Sequence, residues 1–121
     1  MKKIAIIDDE ENIIDVLDKY LKRKSLVEVD TYTNAKMALS KINQGYYDLI
    51  LLDIMMPEVN GLDLLDDIKK TNPNQKVIMM TAYSTEEKII KSDISGACDY
   101  ITKPFISLRD VENKILDTLG I

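Results

Sequence analysis

Three acids, a hydroxyl and an ammonium stand at the ends of separate apolar runs in this chain. Asp8 and Asp9 follow Ile4–Ile7, Asp53 follows Leu49–Leu52, Thr81 follows Val77–Met80, and Lys103 lies just past Tyr100-Ile101. Taken singly, each has a plain explanation: Asp8 or Asp9 as a helix cap, Asp53 as a loop acid, Thr81 as a strand-end hydroxyl, Lys103 as a solvated charge. Their coincidence at the ends of different runs points to one shared pocket. Two carboxylates about 4 Å apart repel by roughly 4 kcal/mol at an effective dielectric of about 20. A cluster of three therefore resists ionisation unless cations relieve it. Lys103 can neutralise one charge, and the rest suits a hard divalent cation, with Mg²⁺ favoured where protein ligands are few. A carboxylate beside Mg²⁺ is a competent nucleophile toward a phosphoryl group. Such transfer asks mainly for positioning and for neutralisation of the phosphoryl oxygens, which Mg²⁺, Lys103 and Thr81 can supply.

The runs themselves say how these groups meet. Short continuous stretches of Ile, Leu, Val and Met read as strands buried on both faces, the habit of a parallel sheet. Val27–Tyr32 alternates apolar and polar residues and reads as an edge strand. Between them lie stretches of helical period. Ile13, Leu17, Tyr20 and Leu21 share one face, closed by Lys19, Lys22, Arg23 and Lys24. Ala35, Ala38, Leu39 and Ile42 form a second stripe stopped by Gly45, and Leu62, Leu65 and Ile68 a third ending before Asn72-Pro73. Ser84-Thr85-Glu86-Glu87 is a capping box opening a fourth helix through Ile89 and Ile90, and Leu108, Val111, Ile115 and Leu119 mark a fifth. The resulting βαβαβαβαβα order predicts an α/β fold, a doubly wound five-stranded parallel sheet with five helices. The flavodoxin-like strand order 2-1-3-4-5 fits it and places the carboxyl ends of the strands along one ligand-binding edge.

Composition narrows the function. A chain of 121 residues is one domain, 1–121, able to bury roughly two-thirds of its unfolded surface. A net charge of −5 argues against a nucleic-acid surface. The absence of His excludes His-based catalysis, His metal sites and service as a phosphohistidine donor. Cys98 has no intramolecular disulfide partner and reads as a small core residue. The apolar stretch after Met1-Lys2-Lys3 is too short for a secretory signal, and no segment reaches the roughly 20 apolar residues of a membrane span. A cytoplasmic protein without membrane contact is expected.

Ile7-Asp8-Asp9-Glu10, Leu52-Asp53-Ile54-Met55-Met56-Pro57 with Asn60-Gly61, Met80-Thr81-Ala82 and Lys103-Pro104-Phe105 together resemble the receiver domain of bacterial two-component response regulators, over essentially the whole chain. The resemblance implies a signalling phosphoacceptor, not an enzyme with turnover: Asp53 accepts a phosphoryl group from a histidine kinase or histidine phosphotransfer protein. It implies Mg²⁺ held by Asp9, Asp53 and the Met55 backbone carbonyl, with Asp8 helping through water. Thr81 and Lys103 would contact the phosphoryl oxygens, Tyr100 would be the aromatic that moves on activation, and Pro104 would follow a cis peptide bond. An output protein or effector domain would then bind the face formed by the fourth helix, fifth strand and fifth helix. Two features depart from the family's pattern: Lys24-Ser25-Leu26 stands where a Gly often separates helix from strand, and Thr33-Asn34-Ala35-Lys36 lacks the Gly common at the second helix.

The nearest enzyme alternative is an aspartate-nucleophile phosphohydrolase, but its two acids are usually spaced by one residue after the first strand. Here they are adjacent, and the nucleophile candidate lies on the third. Four glycines cannot build a P-loop or a dinucleotide turn. A free-standing receiver is slightly favoured over one cut from a longer DNA-binding regulator.

Overall fold

The computed structural model describes residues 1–25, 27–56, 59–82, 96–105 and 107–121. Its strands are β1 (Lys2–Ile7), β2 (Val27–Tyr32), β3 (Leu49–Asp53), β4 (Lys76–Thr81) and β5 (Asp99–Thr102). Its helices are α1 (Glu11–Lys24), α2 (Ala35–Asn43), α3 (Gly61–Thr71) and the C-terminal α4 (Leu108–Leu119), the fifth in the sequence-based count. All strand pairs are parallel, in the order β2-β1-β3-β4-β5. The capping box at 84–87, the helix expected through Ile89 and Ile90, and Pro57 lie outside the described residues.

Side chains that alternate along a strand divide between its two faces, and the central strands fill two cores in this way. Ala5, Ile7, Ile50, Leu52, Val77 and Met79 pack with Ala35, Ala38, Ile42, Leu62, Leu65 and Ile68 of α2 and α3. Ile4, Ile6, Leu49, Leu51, Ile78 and Met80 pack with Ile14, Leu17 and Leu21 of α1 and with Val111, Ile115 and Leu119 of α4. Burying each Ile or Leu contributes about 1.5–3 kcal/mol, so β1, β3 and β4 are the most firmly held elements. Their carboxyl ends are where the polar groups emerge.

Local chemistry sets the helix ends. The Asn34 and Asn60 side chains accept hydrogen bonds from the Lys36 and Leu62 amides, at 2.8 Å each. Asn34 thus opens α2 without the usual glycine. Ser25 closes α1 in the left-handed region (φ 55°) and donates its amide to Lys22 O at 3.2 Å. A side chain there costs roughly 1–2 kcal/mol that glycine avoids. Ser25→Gly is therefore expected to raise stability by about 1 kcal/mol in urea denaturation. A loss of stability would show that Ser25 has a compensating role.

The edges are guarded by side chains. Beside β2, Tyr32 and Tyr47 hydroxyls lie 2.5 Å apart, and the Tyr47 hydroxyl donates to Asp30 at 2.6 Å. Burial and then Asp30 push the Tyr47 pKa above its ordinary value, so the phenol stays a donor. At the other edge, Lys114 Nζ donates to the Tyr100 carbonyl of β5 at 2.8 Å and pairs with Asp99 at 3.5 Å.

Cys98 is exposed, not a core residue. Its amide is tied to Val77 O at 2.8 Å just before β5 begins, after a turn in which Gly96 has a positive φ. That tie leaves its side chain on the solvent side, although its neighbours Ala97 and Tyr100 pack against the core. Among the described residues, no helix is long and apolar enough to cross a membrane.

Candidate active site

Asp8 extends β1 by one step, donating its amide to Tyr32 O at 3.1 Å. The Tyr32–Tyr47–Asp30 contacts described above steady that carbonyl. The Asp8 side chain is fully buried: Oδ1 accepts the Glu10 amide at 2.9 Å, and Oδ2 accepts Lys103 Nζ at 2.9 Å. It does not cap α1, whose N-cap is Glu10 with no side-chain capping bond.

Asp53 is the last residue of β3, in register with Met80. Its Oδ1 accepts the Met55 amide at 3.3 Å and lies 3.4 Å from Lys103 Nζ. Beyond it, Met55 bridges Asn60 and the Gly61 amide donates to Ile54 O at 2.8 Å. A Cβ at position 61 would overlap the Asp53 carbonyl oxygen and sit 2.7 Å from Ile54 Cα. Gly61 is therefore a steric requirement for bringing α3 so close to Asp53, while Asn60 caps the helix.

Thr81 ends β4, buried, in register with Thr102. Its carbonyl accepts the Lys103 amide at 2.7 Å, which carries the chain past β5 with Lys103 turned inward. The Lys103–Pro104 peptide is cis. Lys103 is 5% exposed, so it is no solvated surface charge. The strand ends thus bring Asp8, Asp53, Thr81 and Lys103 to one edge.

Asp9 is exposed, and its carboxylate lies with those of Asp8 and Glu10 in a group of oxygens within 4.8 Å of one another. Tyr100 stands one residue before Ile101, half-buried on the α2–α3 side, with Lys114 Nζ 5.7 Å from its ring centre. Glu10 belongs to the quoted Asp8-Asp9-Glu10 signature, yet sequence reasoning assigned it no role. Its Oε1 is 3.5 Å from Lys103 Nζ. The third acid in an unbroken acidic run was the available signal.

Electrostatics follow from this crowding. Burial and then the Asp8 charge push the Asp53 pKa up to about 7; Lys103 and the Met55 amide oppose them, and a hydrogen bond with Asp9 adds to the rise. For Lys103, burial pulls the pKa down, but the Asp8 hydrogen bond and the charges of Asp53, Asp8 and Glu10 outweigh it and hold the ammonium above the ordinary lysine value. The donor set consists of carboxylates and backbone carbonyls, fits a hard divalent cation, and carries more negative charge than Lys103 can balance.

A sequence model described as the response regulator receiver domain matches residues 4–116. Response regulator SaeR of Staphylococcus aureus (strain USA300) is 37% identical over 105 residues, covering 87% of this chain; the chain matches only 45% of SaeR. A CheY-like receiver domain protein from Methanospirillum hungatei is similar in structure, with a TM-score of 0.90 and 35% identity over 99% of this chain and 94% of that one. TrrA of Thermotoga maritima, solved in complex with Mg(2+)-BeF, gives a TM-score of 0.84 and 35% identity over 98% of this chain and 99% of its own. Strand order, site and similarity agree, and the phosphohydrolase alternative gives way: the chain belongs to the response regulator receiver domain family of two-component signal transduction.

Proposed function

We propose that Asp53 accepts a phosphoryl group from a phosphohistidine on a histidine kinase or histidine phosphotransfer protein. One observation carries the reading: Asp8, Asp53 and Lys103, each at most 5% exposed, converge at the carboxyl edge of the sheet. An Asp53 carboxylate oxygen attacks phosphorus, the phosphorus–nitrogen bond breaks, and the donor imidazole keeps the bond's electron pair. Lys103 and the Thr81 hydroxyl contact the phosphoryl oxygens. Mg²⁺, when bound, supplies charge neutralisation for those oxygens and for the carboxylates. Asp9, Asp53 and the Met55 carbonyl would hold it, with Asp8 acting through water. A pKa of about 7 leaves much of Asp53 protonated at neutral pH, so a nearby cation also keeps the nucleophile ionised. The chain changes only its own phosphorylation state, as one receiver unit over 1–121.

Incubation with acetyl phosphate and Mg²⁺ is expected to add one acid-stable, base-labile phosphoryl group per chain, mapping to Asp53. Uptake that persists with chelator, or maps elsewhere, refutes the reading.

The phosphoryl group brings about −1.5 to −2 charge, an acceptor that draws the Thr81 hydroxyl and frees space for the Tyr100 ring. That movement would alter the face of β5 and α4 offered to an output protein or effector domain, in a cytoplasmic setting without membrane or nucleic-acid contact by this domain. Ile89, Ile90 and Lys91, expected on the same face, lie outside the described residues. Thr81→Ala is expected to accept the phosphoryl group yet lose the backbone NMR shifts around Tyr100 that the parent chain shows. Identical shifts in both proteins would remove Thr81 as the coupling residue.

A further inference from the structure

Three carboxylates share the Lys103 ammonium at unequal distances: Asp8 at 2.9 Å, Asp53 at 3.4 Å and Glu10 at 3.5 Å. The first two are buried, whereas the Glu10 side chain is 59% exposed. The Glu10 backbone is nevertheless held, because its amide is bound to Asp8 Oδ1. Its backbone rides on Asp8 while its carboxylate reaches the same ammonium from the solvent side. The Asp8 carboxylate is fully engaged, one oxygen on Glu10's amide and the other on Lys103. A divalent cation drawn to this cluster places two positive charges beside Lys103 and competes with it for Asp8. Like charges at such range oppose each other by several kcal/mol unless one of them finds another anion.

We propose that Glu10 is a second seat for the Lys103 ammonium, occupied when a divalent cation draws on Asp8, and that Glu10 raises cation affinity by acting through Lys103. This rests on reading the cluster as a Mg²⁺-dependent phosphoacceptor site. Glu10 is a positioning residue in this scheme. Its oxygens also lie near those of Asp8 and Asp9, so direct ligation is the rival role. The 3.5 Å contact between its Oε1 and Lys103 Nζ favours the positioning role. The scheme also accounts for a buried lysine tolerating a divalent neighbour: Lys103 changes partners without leaving the pocket.

The test titrates the parent chain and Glu10→Gln with MgCl₂ alone, following backbone amide resonances for affinity and the Lys103 ammonium proton–nitrogen signal for its hydrogen bonding. Gln keeps the size and the acceptor oxygen at a half-open position, so folding is preserved. Glu10→Gln is expected to weaken Mg²⁺ binding roughly two- to fivefold, the scale of a solvent-exposed charge pair. The Lys103 signal is expected to survive Mg²⁺ saturation in the parent chain and to broaden away in Glu10→Gln. Weakened affinity with an undisturbed Lys103 signal makes Glu10 a ligand and overturns the proposal, as does unchanged affinity. A parent chain that binds no Mg²⁺ defeats the phosphoacceptor reading itself, a separate result.

Discussion

Asp53→Asn is expected to take up no phosphoryl group from acetyl phosphate and, at the same time, to melt several degrees above the parent chain at pH 8 without divalent cations. The first effect follows from the role of nucleophile proposed for Asp53. The second follows from proton linkage. Asp53 has an ordinary value of 3.8 and is pushed up to about 7 in the folded chain. Between those values the folded state holds a proton that the unfolded state has released, so stability declines as pH rises from about 4 to about 7. Above pH 7 the folded chain carries the full cost of an ionised Asp53 that is buried and also faces Asp8. At 1.36 kcal/mol per pH unit that cost is at most about 4 kcal/mol, and because Asn still buries a polar side chain only about 1–2 kcal/mol of it is recovered. A gain of that size corresponds to roughly 4–10 °C for a domain of this length. Thermal unfolding at pH 8 and pH 4 checks it: the advantage of Asn should be large at the first and small at the second. A gain independent of pH would locate its origin elsewhere than in the charge.

Lys103→Met is expected to be the most damaging single change at the site. It keeps the aliphatic volume but removes the ammonium that Asp8 and Asp53 share. Removing one partner of a buried ion pair costs about 3–5 kcal/mol, because the remaining charge is left in a poorly solvated place. Protonation of an acid offers partial escape, so the loss should be greatest at pH 8 and shrink toward pH 5. Saturating Mg²⁺ should also recover part of it by supplying positive charge. Urea denaturation under these conditions measures both effects. A loss below about 1 kcal/mol at pH 8 would mean that Lys103 contributes little to balancing the buried acids.

Much of this architecture was legible in the residues because burial on both faces leaves a simple mark. Leu49–Leu52 and Val77–Met80 are unbroken apolar runs, and both became fully buried central strands. Val27–Tyr32 alternates, and it lies at an edge. The acids, hydroxyl and lysine were visible because each interrupts such a run at its carboxyl end. Strand order was less accessible: periodicity shows what is a strand but not which strands are neighbours, and 2-1-3-4-5 came from the known order of flavodoxin-like folds. Cys98 was misread because a small apolar residue among core residues gives no sign of which side its backbone turns. Ser25 concealed a left-handed cap for the opposite reason, since a non-glycine rarely takes that geometry. Glu10 escaped notice because its partner, Lys103, is distant in sequence, and only the folded sheet edge brings them together.

The ammonium that Lys114 places on the Tyr100 carbonyl has a consequence for life at cellular concentration. A sheet that does not close on itself presents a row of unpaired backbone groups at each border, and such a border can recruit a strand from another molecule. β5 is only four residues long, and one of its outward carbonyls is already taken by a charged side chain that a joining strand would have to displace. At the opposite border, the exposed Glu28 of β2 gives two identical chains reason to repel. Both borders therefore disfavour uncontrolled strand exchange between copies, leaving helix surfaces and loops as the places where this domain can meet other proteins without being drawn into aggregates.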